Sequence, residues 1–532
     1  MNRFMKKGIL VTFIVLLSMT GLAAQDNSLQ VLPKPTYGVQ TDSFLKLSGV
    51  TPVFIDSKSG INTAYVADIL NEIGIHSTFT DKESKAKLVF IITSDKLSSG
   101  SYCIDVKTKA SKNKLTSYAS DREGLLNALQ TVRQLAKKSG NEVTIQGCSI
   151  KDAPVFQWRA FMLDESRHFH GKQVVKNLLN EMARLKMNVF HWHLVDDPGW
   201  RIEIKKYPLL TQIGSKRDYS NMNVSPASWD SLGFGDKFYT QDEIREIVKY
   251  ADDRGIRIIP EIEFPGHASA SILAYPWIGT SSRKENKAVN GDLYNVTDER
   301  MEEFYQDILD EVMSLFPSRI IHIGGDEANY AHWENSEEVK SFMIKNNIPT
   351  CSDLQVWAVN RMSRYLSSKG CKMIGWNEIT GDNVRNEAHV KASVSEKLAS
   401  GTIVQFWDGD ISLVNKAIEK GYDVVNSNRI FTYLDYPYDG ISFEKAYSFN
   451  PIPDGLSEAD RGKIVGSGCQ MWGEFTPNTD RLYYQTFPRI AAYAECGWCD
   501  PFTKNYDDFK SRFLHVIEPI WKSKGYIKNQ PY

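Results

Sequence analysis

From residue 158 onward the apolar residues fall into two alternating patterns. Short runs at 158–163, 188–194, 256–262, 319–323, 372–376, 402–406, 422–426 and 466–472 read as strands. Between them, segments at 172–185, 240–254, 299–315, 352–369, 411–420 and 480–497 carry apolar residues at helical spacing. Eight strands in βα alternation predict an α/β fold of the (β/α)8 TIM-barrel type. A doubly wound open sheet is the alternative, but no Gly-x-Gly-x-x-Gly turn follows any strand. Upstream the pattern changes. Short strands are expected at 53–55, 88–93 and 102–106, and a helix over 124–138 from Leu125, Leu126, Leu129, Val132 and Leu135. Ser- and Lys-rich stretches at 95–101 and 107–114 read as surface loops. With a boundary near Asp152-Ala153-Pro154, a small α+β domain over 25–153 precedes a barrel over 154–532.

Residues 1–24 stand apart. Arg3, Lys6 and Lys7 precede an apolar run at 9–19, and the small residues Gly21, Ala23 and Ala24 follow. That is the layout of a secretory signal peptide. A membrane anchor needs about 20 apolar residues, and this run is shorter. No Cys adjoins the expected cut, and no later stretch is apolar enough to span a bilayer. A soluble protein exported to the periplasm or the medium is expected.

Composition narrows the function classes. The chain has 532 residues, 42% hydrophobic and 24% charged, enough apolar content for large cores. Lys plus Arg number 63 against 65 Asp plus Glu, so no basic excess exists to neutralise nucleic-acid phosphates. Seven cysteines are widely spread. Cys496 and Cys499 have redox-motif spacing but end a helix late in the chain, and no Cys or His cluster has zinc-site spacing, so neither a metal nor a cofactor is implied. The 12 Trp, 24 Tyr and 25 Phe are abundant; large flat rings serve equally in a core or against a sugar face.

In such a barrel the site is built at the C-terminal strand ends, and here those ends are polar and aromatic. Strand one runs into Asp164-Glu165-Ser166-Arg167-His168, and strand two ends in His191-Trp192-His193-Leu194-Val195-Asp196-Asp197. Strand three leads to Pro260-Glu261-Ile262-Glu263-Phe264-Pro265-Gly266-His267, and strand four to His322-Ile323-Gly324-Gly325-Asp326-Glu327. Strands five, six and eight end in Trp376-Asn377-Glu378, Trp407-Asp408 and Trp472-Gly473-Glu474. Each feature has a plainer reading: the Trp as core residues, Arg167 as a mere counter-ion for Asp196, and the Gly-Gly-Asp-Glu acids as caps of the next helix. Three Trp at one barrel mouth favour a stacking pocket. Glu261 and Glu263 alternate with apolar residues, so at most one face of that strand points to the site. In extended backbone Asp326 and Glu327 would point to opposite sides, which does not suit two-carboxylate glycoside hydrolysis. With Glu327 as proton donor, Asp326 needs another task. A substrate that supplies its own nucleophile, a 2-acetamido oxygen, provides one: the second carboxylate orients the amide nitrogen.

This series of motifs, with Tyr433-Leu434-Asp435 after strand seven, resembles the family 20 glycoside hydrolases, the exo-acting β-N-acetylhexosaminidases. The resemblance extends from about residue 28 to beyond 500 and includes the small N-terminal domain. It implies Glu327 as general acid/base, Asp326 as the holder of the acetamido nitrogen, and Tyr433 as the phenol bonding the acetamido oxygen. By the same resemblance Trp376, Trp407 and Trp472 wall the terminal sugar, while Arg167 and Glu474 bind hydroxyls around O3 and O4. Asp435 then reaches O4 or O6, and Asp196 with His267 supports and tunes the acid. Desolvation among three indoles is expected to raise the acid's pKa. Glu263 stands where the family usually has Asp and is left out of the expected site; Val195 and Pro198 replace the Thr and Gln of many bacterial members.

The expected activity is therefore exo-hydrolysis, with retention, of terminal β-linked GlcNAc and GalNAc from oligosaccharides or glycoconjugates, without a cofactor. Other readings stay open: a lacto-N-biosidase-type enzyme with a deeper pocket, a retaining glycosidase using Glu378 or Glu474 as nucleophile, and a non-catalytic glycan-binding barrel. Acceptor preference is expected to lie in loops 215–236 and 428–465.

Overall fold

The computed structural model describes residues 29–95, 97–108, 113–216, 237–280, 292–382 and 397–532. The expected signal peptide and loop residues 217–236 lie outside the described residues.

The N-terminal unit is one sheet with two helices packed on it. Its strands run in the order Tyr37–Ser48, Glu142–Asp152, Tyr102–Lys107, Lys114–Ala119, Leu88–Ile92, Val50–Ile55 and His76–Phe79. Helices Thr63–Glu72 and Arg122–Leu135 bury Val66, Ile69, Leu70, Leu125, Leu129 and Val132 against it. The helix expected over 124–138 ends early: Ala136–Ser139 leaves it and pairs antiparallel with Glu142–Asp152. Lys137 and Lys138 are exposed, and Gly140, at φ 59°, turns the chain back into that hairpin.

Eight parallel strands then close a barrel: Trp158–Asp164, Val189–His193, Arg257–Glu261, Ile320–His322, Lys372–Trp376, Ile403–Phe406, Asp423–Asn426 and Ile464–Met471, each beside the next and the last beside the first. Every expected strand is present. The segment expected as one helix over 480–497 is two, Thr479–Thr486 and Arg489–Trp498, because Pro488 has no N–H to continue the first. Capping is local and sequence-encoded: Thr240 and Glu243 form a reciprocal capping box on helix Gln241–Asp253.

Strand alternation sorts the barrel interior into layers. Trp158, Ala160, Val189, Ile259, Ile320, Ile374, Ile403 and Val425 form an apolar floor. Their intervening neighbours, such as Phe161, Phe190 and Val424, pack outward against the helices. Two residues further along the same inward parity come His191, Glu261, His322 and Trp376, and beyond them His193 and Glu263. The interior thus turns polar toward the C-terminal end, which is where the chemistry collects.

The two units are joined by a buried ion pair. Lys186 Nζ lies 3.2 Å from Asp152 Oδ2 and 2.7 Å from the Tyr102 hydroxyl, over the Trp498 ring. All seven cysteines are free thiols, including Cys496 and Cys499. Among the described residues, no helix is long and apolar enough to cross a membrane.

Candidate active site

Four aromatic rings build a box at the barrel mouth. Trp376 is fully buried and donates its Nε1 hydrogen to Glu261 Oε1 at 2.8 Å. Trp407 stands at 69° to it, with centroids 6.4 Å apart, and lies nearly parallel to Tyr433 at 6.1 Å and 9°. Trp472 closes a third side, 5.8 Å from both Trp376 and Tyr433. The cleft that Trp407, Tyr433 and Trp472 line, with Trp376 behind them, is about 860 Å³ and also exposes Arg167, Asp326, Glu327, Asp435 and Glu474, a volume typical of small-molecule sites.

The acids enter on a strained turn. Gly324 and Gly325 take φ values of 64° and 93°, and Glu327 itself sits at 46°. A Cβ on Gly324 would stand 1.7 Å from Glu263 Oε2, and one on Gly325 2.6 Å from Ile379, so only glycine fits here. This turn overturns the expectation that the two acids diverge. With Glu327 left-handed instead of extended, Asp326 Oδ2 and Glu327 Oε2 lie 3.8 and 3.9 Å from the same atom, His267 Nε2. Their solvation differs. Glu327 has 37% of its side chain exposed at the mouth, whereas Asp326 is buried. Burial pushes the Asp326 carboxyl up to about 7, with Glu327 and Glu261 adding and His267 opposing.

Cations hold the rest. Arg167 reaches Asp196 at 2.7 Å, Asp164 at 3.1 Å and Glu474 at 3.8 Å, with its guanidinium over the Trp472 ring. It is therefore a counter-ion of Asp196 and a wall of the cleft at once. His267 Nδ1 lies 3.2 Å from Asp196 and 3.1 Å from Asp197. Burial works against its proton, but Asp196 and Asp197 outweigh that and hold the ring well above its ordinary pKa. Burial would raise Asp196 in turn, yet Arg167 and His267 keep it well below its usual range. Burial also pushes Asp435 up to about 8, with Glu474 adding. Every expected site residue thus converges on one cleft or its immediate support.

Several residues outside the expected set join them. Glu261 and Glu263 both face inward; Glu261 anchors Trp376, and Glu263 fills the space that Gly324 leaves. Glu378 accepts from Trp407 Nε1 at 3.0 Å, and burial pushes it up to about 8. Asp197 shares His267, and Arg429 ties Asp408 to the Tyr436 hydroxyl at 2.8 Å. The two-residue spacing of Glu261 and Glu263, in step with inward Ile259, is the signal that places both inside. One of the four His and carboxylate groups spaced closely enough to hold a metal ion among the described residues, His191, Glu261 and His322, is held by its own contacts: the two rings lie 2.8 and 2.9 Å from the carboxylate.

Comparison with known proteins fits this geometry. The family model described as glycosyl hydrolase family 20, catalytic domain, matches residues 156–501, and that of glycosyl hydrolase family 20, domain 2, matches residues 28–153. The chain belongs to glycosyl hydrolase family 20. Within the family it is similar to a β-hexosaminidase of Vibrio furnissii, 32% identical over 88% of this chain and 76% of that protein. It is also 33% identical to a β-hexosaminidase of Porphyromonas gingivalis over 76% of this chain, spanning about half (52%) of that relative's length. Among solved structures, a family 20 exo-β-N-acetylglucosaminidase of Vibrio harveyi superposes with a TM-score of 0.82 at 28% identity, covering 96% of this chain and 80% of that one. A β-N-acetylhexosaminidase of Bacteroides fragilis gives 0.79 at 28%, covering 93% and 95%. This family 20 member is thus a glycoside hydrolase of the β-N-acetylhexosaminidase type.

Proposed function

We propose that the protein is an exo-acting, retaining hydrolase of terminal β-linked GlcNAc and GalNAc that uses the substrate's own acetamido group as nucleophile. One observation carries this reading. Asp326 Oδ1 and the Tyr433 hydroxyl are both buried in the aromatic box with no hydrogen-bond partner among the described residues. Buried polar atoms are rarely left unpaired. A carboxylate oxygen accepts, and Tyr433, whose pKa burial holds well above its ordinary value, keeps an O–H to donate. A ligand that meets both offers one N–H and one carbonyl oxygen, which is an amide.

In the proposed sequence, Tyr433 donates to the acetamido oxygen and Asp326 accepts from the nitrogen, aiming the oxygen at the anomeric carbon. Glu327 protonates the leaving oxygen. The ring that closes is an oxazolinium whose positive nitrogen faces Asp326; a carboxylate there is worth more for being desolvated. Glu327 then acts as base toward the water that opens the ring. His267, a cation 3.8 Å from Asp326, favours its ionised form. Arg167, Glu474 and Asp435 engage the hydroxyls on the closed side of the box, and Trp376, Trp407 and Trp472 stack the sugar and its methyl group. Neither carboxylate expected as nucleophile on a covalent route is free: Glu378 is capped by Trp407, and Glu474 is drawn to Arg167.

A panel of p-nitrophenyl β-glycosides, with and without the 2-acetamido group and with both 4-hydroxyl epimers, tests this. Turnover is expected only with the acetamido group, and efficient cleavage of the plain β-glucoside overturns the proposal. From residues 1–24 we also infer export; amino-terminal sequencing of protein recovered from outside the cytoplasm should begin just after Ala24.

A further inference from the structure

Under the sugar box lies a layer of buried imidazoles and carboxylates that the reaction does not touch. His193 is its centre and is fully buried. Its Nδ1 lies 2.5 Å from Glu261 Oε2 and its Nε2 2.8 Å from Asp196 Oδ2. A neutral imidazole carries one N–H and one lone pair. It could donate to only one of these carboxylates and would turn its lone pair on the other.

Both carboxylates have reason to be ionised. Asp196 also meets Arg167 Nη2 at 2.7 Å, His267 Nδ1 at 3.2 Å and the Asp197 N–H at 2.6 Å. Glu261 also meets Trp376 Nε1 at 2.8 Å, His191 Nε2 at 2.8 Å and His322 Nδ1 at 2.9 Å. Further groups face His193: Glu263 Oε1 at 3.9 Å, Asp164, and the Trp472 ring at 5.1 Å.

We infer that His193 is a constitutive imidazolium, a positioning residue that clamps Glu261 to Asp196 and thereby sets two walls of the sugar site at once. Through Glu261 it fixes Trp376; through Asp196 it fixes Arg167 and His267, and His267 in turn stands beside Asp326 and Glu327. Burial opposes a charge on this ring, but Glu261, Asp196 and Asp164 outweigh it. The functional half of the inference rests on the proposed reading of the sugar site; the protonation half does not.

Neutron diffraction from the wild-type protein at pD 8 tests the protonation directly. Deuterons are expected on both ring nitrogens of His193, and a single deuteron overturns the inference. Kinetics tests the clamp. His193→Gln keeps one donor and loses the charge, and its kcat/KM on the acetamido glycoside should fall about 10–100-fold, as when a partner that orients a functional ligand is lost. Both kcat and KM should worsen, since an acid-supporting and a sugar-binding wall are loosened together. Because part of the effect travels through Asp196 and part through Glu261, the His193→Gln/Asp196→Asn pair should lose less than the product of the two single losses. Wild-type kinetics in His193→Gln, or fully multiplicative losses in the pair, overturn the clamp. If no acetamido glycoside is turned over by the wild type, the proposed function fails, while the neutron result still decides the charge on His193.

Discussion

Asp326→Asn separates what this carboxylate does for the reaction from what it does to stability. In the fold its pKa is about 7, against an ordinary 3.8, because it is buried beside Glu327 and Glu261. The folded state therefore holds this proton more tightly than the unfolded chain does. The ionised carboxylate makes no penalty below about pH 4, a growing one as pH rises, and its full penalty above about pH 7. A separation of about three units, at about 1.4 kcal/mol each, amounts to ~4 kcal/mol. Asn does not titrate. Relative to wild type, the variant should gain stability by ~4 kcal/mol between pH 4 and pH 8, while the pH effects of groups remote from Asp326 cancel in the difference. Urea unfolding of both proteins across that range is the assay. The same variant should be nearly inactive, and the acid limb of wild-type kcat/KM should fall near pH 7, since only the ionised form accepts the amide N–H. A stability difference that stays flat with pH refutes the reasoning.

The other predictions concern the acid, the phenol and the turn. Glu327→Gln should lose about 10²–10⁴ in kcat on substrates with poor leaving groups but far less on a 2,4-dinitrophenyl glycoside, which needs no proton; equal losses on both would contradict its role as acid. Tyr433→Phe removes a single donor to a developing charge and should lower kcat by about 10²–10³ with a smaller change in KM. Gly324→Ala, at φ 64°, meets the Glu263 carboxylate, whereas Gly49→Ala, at φ 65°, meets open space. Both bear backbone strain of about 1–3 kcal/mol, so thermal unfolding should show a markedly larger loss at Gly324, together with lost activity.

The barrel was legible because its strands are short apolar runs whose parity is set by an apolar floor, and the acids were legible because two glycines precede them. What the sequence concealed lies in backbone geometry and register. Nothing in Gly-Gly-Asp-Glu announces that Glu327 is left-handed, and that one dihedral puts both acids beside His267 and leaves Glu327 exposed while Asp326 is buried. His191-Trp192-His193 and Glu261-Ile262-Glu263 are visible as alternation, but only parallel pairing of the two strands, with His193 opposite Glu261, turns them into a connected layer. In the N-terminal unit, Tyr37–Ser48 and Lys114–Ala119 escaped notice because they are rich in Ser, Thr and Lys. Their strand character comes from long-range pairing with Glu142–Asp152 and Leu88–Ile92 respectively.

The central claim is that the substrate's acetamido oxygen is the nucleophile, held by Tyr433 and Asp326. The most direct test replaces the acetyl methyl hydrogens of an aryl β-glycoside by one, two and three fluorines and measures kcat. Fluorine withdraws electrons from the carbonyl oxygen without changing the leaving group, so the account predicts a steep, progressive fall along the series. A kcat that is indifferent to fluorination would contradict it.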